Sequence, residues 1–423
     1  MKKIVLIFLF IVFPGCLFSQ VFSGNFTTSF YQWENSFVNT GNSDEILESS
    51  KHFKIYQSIN LKLTRLLDGK LSVFTNMRLN TDLHGGDVSG NNHRLNTLYL
   101  SIKKVIKNTD IKLGRQFIYS NSLANPMDGI RINTDFKYAD LEVFGGILLS
   151  PNISFQLKSK NDGNIYGLSI HSDKIYDISL KLGYTRKNLK PGSYYSVFAG
   201  KNINTSAIAE ENIYFNAARS FKMFDVYGFL EYGLKQPGDI KRAIFTGTIK
   251  PLNNLTATVQ YYYSQPRVYL NSIFAVFSQY ENQEVSLSAV YRICPDAYVH
   301  LGYSKVYFDD ISNNRVTAGG SYKCLSAFYH FNEDDITTLN GITAQVNKSL
   351  KGFDIYGNVN YNKHDNRIIR DIQDIYSYSL GVRKKICKNL FFDLTGISLE
   401  NKLMSKDFRI FGQIRYNIFH RLK

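Results

Sequence analysis

Two stretches of this chain alternate apolar and polar side chains almost without interruption: FKIYQSINLKLT at 53–64 and FRIFGQIRYNIF at 408–419. Successive side chains of a β-strand point to opposite faces, so this alternation predicts strands with one apolar and one polar face. Gln57 is an exception on the apolar face of the first stretch. The two stretches predict strands that separate an apolar environment from a polar one.

The same unit recurs from about Phe53 to Phe419, as stretches of roughly ten alternating residues ended by turn residues. Short, turn-like segments largely alternate with longer, loop-like ones, which is typical of transmembrane β-barrels. We therefore expect residues 20–423 to form an all-β fold, a single transmembrane antiparallel β-barrel of roughly 22–24 strands. The stretch 141–209 is the least regular, and an error there would bring a count of about 24 down to about 22.

The predicted short turns share one end of the barrel, at 68–69, 107–110, 137–140, 161–163, 190–192, 220–222, 251–254, 294–297, 323–325, 350–352 and 387–389. The predicted longer connections share the other end, at 34–51, 81–93, 119–126, 236–239, 264–283, 309–314, 332–337, 364–374 and 400–406. The connection 264–283 is apolar for an exposed loop. Either it constricts the lumen, or it packs on the rim or forms an extra pair of short strands.

Residues 1–19 are predicted to be a secretory signal peptide, because a positive start precedes an apolar core at 4–13 that is too short to span a bilayer. Cleavage is expected after Ser19. An alternative is lipoprotein processing, with Cys16 acylated. The rest of the chain contains no run of 18 or more apolar residues, so the sequence offers no transmembrane helix.

Composition agrees with a barrel, since the chain has 29 Tyr and 31 Phe but 8 Pro. Aromatic side chains suit a pleated surface and the membrane interface, whereas proline interrupts strand pairing. A soluble β-sandwich or propeller is the alternative. The net charge of +15 is consistent with an outer surface that meets acidic lipopolysaccharide, or with a basic lumen that favours anions. We expect no nucleic-acid partner for an exported barrel.

The sequence offers no constellation that indicates chemistry. The 8 histidines are scattered, and none has a metal-ligand spacing such as His-x-x-x-His. Cys294, Cys324 and Cys387 remain after the signal, and their odd number without close spacing predicts unpaired thiols, although one disulfide is possible. His300 and Ser304 would lie about 13 Å apart along one strand, too far for a catalytic dyad. We therefore expect no catalytic residue, no metal and no cofactor.

The polar parity collects candidate lining residues for a lumen, and the six that we select are Lys54, Lys62, Arg78, Arg409, Gln413 and Arg415. The first and last strands become neighbours when a barrel closes, so these residues share one patch of wall. Charges that line a pore bias which ions pass, and we expect the strongest effect from Arg78, Arg409 and Arg415. The alternative is that a solvated wall simply needs polar residues.

Two local patterns resemble known barrels. The stretch 408–419 is similar to the C-terminal strand that outer-membrane barrels present to their assembly machinery, although four further residues follow it. GRQ at 114–116 and DGIR at 128–131 resemble a pattern of porin-like and exopolysaccharide-export barrels, in which the arginine can line the path. Arg115 shares parity with apolar neighbours here, so either a bulge turns it inward or it sits near the rim. A charge at mid-bilayer on the lipid face costs about 2–4 kcal/mol.

As a whole, the chain resembles the porin-like outer-membrane barrels of Gram-negative bacteria, in a Bacteroidota-type version. The resemblance implies a location in the cell outer membrane, with lipid, lipopolysaccharide and the barrel assembly machinery as partners. It implies passive diffusion of small polar or anionic solutes. Three alternatives stay open: an export conduit for polysaccharide or protein with periplasmic partners, a structural or adhesive barrel, and a barrel enzyme.

Overall fold

The computed structural model describes residues 21–39, 42–83, 92–120, 123–149, 163–189, 193–196, 201–204, 208–234, 239–265, 281–308, 311–367, 371–401 and 404–421. These residues form 24 β-strands. Within them, no helix is long and apolar enough to cross a membrane. The predicted signal peptide at 1–19 and most of the 264–283 connection lie outside the described residues.

Successive strands run in opposite directions between the two ends of the barrel. The first nine are β1 (Val21–Asn39), β2 (Asn42–Leu66), β3 (Leu71–Asp82), β4 (Asn92–Ile106), β5 (Thr109–Ser120), β6 (Leu123–Asp135), β7 (Asp140–Leu148), β8 (Gly163–Ile175) and β9 (Ile178–Leu189). Two short strands, β10 (Ser193–Ser196) and β11 (Lys201–Asn204), form a separate hairpin. The next seven are β12 (Ile208–Ser220), β13 (Phe224–Gly233), β14 (Asp239–Leu252), β15 (Leu255–Ser264), β16 (Asn282–Cys294), β17 (Ala297–Phe308) and β18 (Ile311–Tyr322). The last six are β19 (Leu325–Glu333), β20 (Thr337–Leu350), β21 (Phe353–Asn366), β22 (Asp371–Lys385), β23 (Leu390–Glu400) and β24 (Met404–Arg421).

Of the strands that the structure describes, 22 form one antiparallel sheet that closes on itself. Closure occurs because β1 pairs with β2 on one side and with β24 on the other, beginning at Val21 opposite Arg421. The sheet continues from β9 directly to β12 and leaves out the β10–β11 hairpin. A closed sheet pairs the backbone groups of every strand, as a bilayer requires. The predicted single antiparallel barrel is confirmed, with the lower of the two expected strand numbers.

Most of the predicted short turns are confirmed, and they define what we call the turn end of the barrel: those at 68–69, 107–110, 137–140, 220–222, 251–254, 294–297, 323–325, 350–352 and 387–389. The start of β1 and the end of β24 lie at this end as well. The three cysteines, Cys294, Cys324 and Cys387, are here with free thiols. We call the opposite end the loop end.

The predicted turns at 161–163 and 190–192 lie outside the described residues, apart from Gly163. Strand β7 ends at the loop end with Leu148, and β8 begins there with Gly163. Strand β9 ends at the loop end as well, with Leu189 opposite Gly163. Glycine and proline indicate where a chain reverses, but not at which end of a barrel. The turn in this region is Tyr176-Asp177, whose φ angles of 52° and 55° are left-handed without a glycine to reveal them.

Two predicted long connections are largely strand. Strands β1 and β2 continue through most of the predicted 34–51 loop and pair as far as Asn39 opposite Asn42. Strands β5 and β6 likewise pair through most of 119–126, as far as Ser120 opposite Leu123. Backbone hydrogen bonds are enough to hold these segments as strands. Alternation is required only where one face of a strand meets lipid, so its absence here did not exclude a strand.

The two faces of the closed sheet differ as the alternation predicts. On the outer face, Val259, Leu287 and Leu301 are exposed at 50%, 53% and 57%. On the inner face of the same strands, Thr258 lies opposite Ser288. A wide exposed apolar surface is unfavourable in water, so the outer face fits the hydrocarbon of a bilayer.

Tyrosines mark the boundary of this apolar face near the loop end. Three hydroxyls each donate a hydrogen bond to the next strand: Tyr303 to Asn314 at 2.9 Å, Tyr329 to Asn340 at 2.8 Å and Tyr361 to Asp374 at 2.8 Å. A tyrosine ring favours the apolar side of a membrane interface while its hydroxyl favours the wet side. The repeated contact therefore places an interface at this level of the barrel.

The two faces of β16 offer a matched test of orientation. Leu287→Arg puts a charge on the outer face near the middle of the strand, and we expect it to lower the free energy of unfolding by about 2–4 kcal/mol. Ser288→Arg puts the same charge on the inner face and should change it by less than about 1 kcal/mol. Urea titration of both variants in lipid vesicles measures the difference. Equal losses would contradict the assignment of the faces.

Candidate functional site: the inner wall at the closure

Closure of the barrel brings residues of the first and last strands together on the inner surface. We call the inner face of β24, β1, β2 and β3 the closure wall. One row across it runs from Arg415 to Thr27, from Thr27 to Ser58 and from Ser58 to Arg78, since each pair is directly opposite in the sheet. Two arginines from opposite ends of the sequence therefore bracket two hydroxyl side chains.

All six predicted lining residues lie on this wall with the inward parity: Lys54 and Lys62 on β2, Arg78 on β3, and Arg409, Gln413 and Arg415 on β24. The opposite parity of β24 is apolar, with Phe408 and Ile414 exposed at 52% and 44%. The closure wall thus brings the six together as the sequence predicts. Their role in lining a conducting pore remains a prediction.

The structure separates these six residues into two groups. Arg78, Gln413 and Arg415 border one recess of about 520 Å³ in the closure wall. The rest of its lining consists of amides, hydroxyl groups and aromatic rings, with no carboxylate. Lys54, Lys62 and Arg409 lie on the same wall but outside the recess.

Lys54 and Arg409 are neutralised by carboxylates. The Lys54 ammonium lies 3.6 Å from the Asp82 carboxylate. Arg409 donates to the fully buried Asp407, with Nε to Oδ1 at 2.9 Å, and to the Tyr31 hydroxyl at 3.4 Å. A cation paired in this way adds little net field to the lumen. The pairing with Asp407 therefore argues against a strong contribution of Arg409 to ion selection. The sequence did not reveal this partner.

Arg78, Arg415 and Lys62 instead contact neutral groups. The Arg78 guanidinium lies 4.2 Å from the centroid of the Tyr56 ring. Arg415 Nη2 donates to Gln413 Oε1 at 2.9 Å, and the Lys62 ammonium lies 5.2 Å from the Phe74 ring centroid. Within the described part of the chain, none of these three cations forms an ion pair. Their charges therefore remain available to a solute.

A chain of side-chain amides crosses the wall just on the turn-end side of this row. Asn96 donates to Asn76 at 2.6 Å, Asn76 donates to Asn60, and Asn60 donates to Asn25 at 3.0 Å. A bulge in β4 brings Asn96 into the chain, because the register with β3 shifts beside it. Sequence reasoning missed this chain, since only the strand register aligns asparagines from four strands. The shared inward parity of Asn25, Asn60 and Asn76 was the available signal, whereas nothing in the sequence revealed the bulge at Asn96.

The inner wall differs on β5–β8 near the loop end. An apolar cluster there has at most 4% exposure: Ile118, Met127, Phe144, Leu148 and Ile165. Neighbours of opposite parity, such as Val143 and Tyr166, are exposed on the outer face at 41% and 39%. Inward side chains that are fully buried must be covered by other atoms. These five side chains therefore do not line an open lumen at this end.

Arg115 lies within the wall and not along the lumen. It is 4% exposed, its Nε donates to Asp128 Oδ1 at 2.8 Å and its Nη2 to Oδ2 at 2.9 Å. Its Nη1 donates to the Leu95 carbonyl at 3.2 Å, so the guanidinium bridges β4 and β6. The backbone beside it requires glycine, because Gly114 has a φ of 123° and a Cβ there would lie 2.4 Å from the Leu98 carbonyl oxygen. The two segments that resemble other barrels, 114–116 and 128–131, thus meet in one buried ion pair.

Asp128→Ala should leave the buried Arg115 charge without its carboxylate and lower the free energy of unfolding by about 3–5 kcal/mol. Glu333→Ala is the matched control, because it removes the carboxylate from an ion pair with Arg367 whose side chains are 47% and 40% exposed. The control should cost less than about 1 kcal/mol. Urea titration of both variants in vesicles tests this, and a small loss for Asp128→Ala would mean that the pair is not buried in the membrane-embedded protein.

No family model and no curated protein matches this chain. Solved barrels resemble it in fold over most of its length. The P pilus usher PapC translocation pore has 9% identity and a TM-score of 0.49, with 94% of this chain and 100% of that chain covered. OpdQ of Pseudomonas aeruginosa has 9% identity and a TM-score of 0.44, with 94% and 98% covered. A BenF-like porin from Pseudomonas fluorescens Pf-5 has 10% identity and a TM-score of 0.42, with 94% and 99% covered. With identities of 10% or less and TM-scores below 0.5, the likeness assigns neither a family nor a function to this chain.

Proposed function

We propose that this protein is an outer-membrane channel for passive diffusion of small polar solutes, with a preference for anions. The observation that carries the proposal is a closed barrel whose polar inner wall presents Arg78 and Arg415 without a carboxylate partner among the described residues. Charges that line a water-filled passage raise the local concentration of the opposite ion. Closed barrels with an apolar outer face are typical of the outer membrane of Gram-negative bacteria.

The mechanism needs no energy input and no cofactor. A solute enters from either end, exchanges water for the polar groups of the wall, and leaves down its concentration gradient. Size exclusion follows from the width of the lumen. Arg78 and Arg415 bias entry towards anions, and Lys62 extends this bias towards the turn end. No catalytic step is part of the proposal.

The partners follow from the location. The apolar outer face contacts lipid, and the net charge of +15 favours contact with lipopolysaccharide. The alternating β24 is the strand that we propose the barrel assembly machinery recognises. We also propose a Bacteroidota-type origin, for which the support is the aromatic-rich strands and the Ser19-Gln20 end of the signal.

Arg78→Glu with Arg415→Glu reverses two charges on the inner wall, and we expect ion selectivity to move towards cations. Lys305→Glu with Lys363→Glu makes the same change in net charge on the outer face, where Lys305 lies opposite Val285. This control should leave selectivity unchanged. The measurement is the reversal potential of single channels in a planar bilayer under a salt gradient. An unchanged reversal potential in the inner-wall variant would remove these arginines from the selection of ions.

A second candidate function is an export conduit for polysaccharide or protein. The observation that favours it is strand number, because the 22-stranded sheet of the described residues exceeds the roughly 16–18 strands of porins and implies a wider lumen. A conduit would work with periplasmic partners. Co-purification of a stable periplasmic complex from native membranes would favour export, whereas large steady conductance of the isolated protein favours diffusion.

A further inference from the structure

We propose that the recess in the closure wall is a binding site for a sugar that carries an anionic group, either a carboxylate or a phosphate. The inference deepens the proposed function, because it names the class of solute that would bind as it crosses. It rests on the geometry of the recess and the chemistry of its lining.

The two arginines are spaced for a ligand of about the size of a monosaccharide. Both side chains extend towards the loop end and contact residues of the next row of the sheet. There Arg415 donates a hydrogen bond to Gln413, and Arg78 stacks on Tyr56. Gln413 and Tyr56 lie on either side of Ser29, each directly opposite it. These positions are two strand spacings apart, about 10 Å. Guanidinium groups bind carboxylate and phosphate oxygens through paired donors, so each arginine can hold an anionic group.

The surface between the arginines is suited to sugar hydroxyl groups. It presents the hydroxyls of Thr27, Ser29 and Ser58, which both donate and accept hydrogen bonds. Gln413 Nε2 donates to Ser29 Oγ at 3.1 Å, so both side chains are held in place before a ligand arrives. A simple anion such as acetate would use the arginines but leave these groups without a partner.

The amide chain fixes the turn-end side of the recess. Each amide in it donates to the next, and the last bond ends on Asn25 Oδ1. Asn60 and Asn25 border the recess, and the Asn25 amide nitrogen remains as the donor at the end of the chain. Donors that are already ordered lose little conformational entropy on binding, which favours affinity.

Aromatic rings close the loop-end side. Tyr31 and Phe411 are directly opposite each other and both border the recess. The carbon–hydrogen faces of a sugar ring pack on aromatic rings, while its hydroxyls meet the polar surface beside them. The lining contains no carboxylate, so a cationic sugar would gain nothing to offset the repulsion of two arginines.

The chain contains one tryptophan, which provides a direct readout of binding. This residue, Trp33, stacks on Tyr31 with ring centroids 4.8 Å apart, and Tyr31 borders the recess. The experiment titrates the folded protein in detergent with glucuronate, glucose 6-phosphate, glucose, acetate and inorganic phosphate, and follows tryptophan fluorescence. Equilibrium dialysis with the labelled compounds is the second readout, so a silent fluorophore would not hide binding.

We expect saturable binding of glucuronate, glucose 6-phosphate or both, with a dissociation constant at least about tenfold below those of glucose, acetate and phosphate. Binding of glucuronate alone would identify a carboxylate ligand, and binding of glucose 6-phosphate alone would identify a phosphate ligand. No saturable binding of either compound, or equal binding of acetate and phosphate, would overturn the proposal.

Arg78→Gln and Arg415→Gln should each weaken binding about tenfold, because each removes charge-assisted hydrogen bonds. Arg292→Gln is the matched control, since Arg292 borders a different recess of the inner wall. It should change the dissociation constant less than about twofold. Heat-modifiable migration on gels confirms that each variant is folded. An equal effect of Arg292→Gln would show that only the general charge of the lumen matters, and would overturn the site.

Conductance of the same preparation separates this proposal from the proposed function. A conducting protein that binds no acidic sugar would leave the channel in place and overturn the site. A protein that binds an acidic sugar in the recess but does not conduct would keep the site and overturn the channel.

Discussion

The pairing of β1 with β24 is the contact on which the rest of this structure depends. Strands in a bilayer have no water to satisfy their N–H and C=O groups, so a membrane-spanning sheet must close. Closure fixes the first strand against the last along almost their whole length, from Val21 opposite Arg421 to Phe37 opposite Met404. It also gives the sheet an inside and an outside, which turns a simple alternation of side chains into a lipid-facing surface and a polar wall.

The functional character of the polar wall is decided by contacts within it more than by its composition. Arg409 and Arg415 lie on the same strand with the same parity, yet Arg409 pairs with the buried Asp407 while Arg415 bonds the neutral Gln413. The two side chains therefore present different charges to a solute. Lys54 and Lys62 on β2 differ in the same way, since only Lys54 lies against a carboxylate. A count of basic residues would treat all four alike.

Register adds order that neither composition nor parity contains. The amide chain from Asn96 to Asn25 exists because β1, β2, β3 and β4 are aligned so that inward asparagines fall next to one another. A shift of two residues in any of these strands would keep the faces correct and break the chain. The buried pair of Arg115 and Asp128 depends on register in the same way, since the two residues lie directly opposite each other on β5 and β6.

The sequence by itself determined the all-β barrel, most of its turns and which residues face inward, because strand alternation and turn residues are local properties of the chain. It predicted that Lys54, Lys62, Arg78, Arg409, Gln413 and Arg415 share one wall, since closure makes the end strands neighbours. It missed the turn at Tyr176-Asp177, because no glycine marks the left-handed residues there. Only the tertiary structure decided that Asp407 neutralises Arg409, that Arg115 is buried against Asp128, and that Arg78 and Arg415 border one recess. Those outcomes depend on the register between strands distant in the chain, which is set when the whole sheet closes.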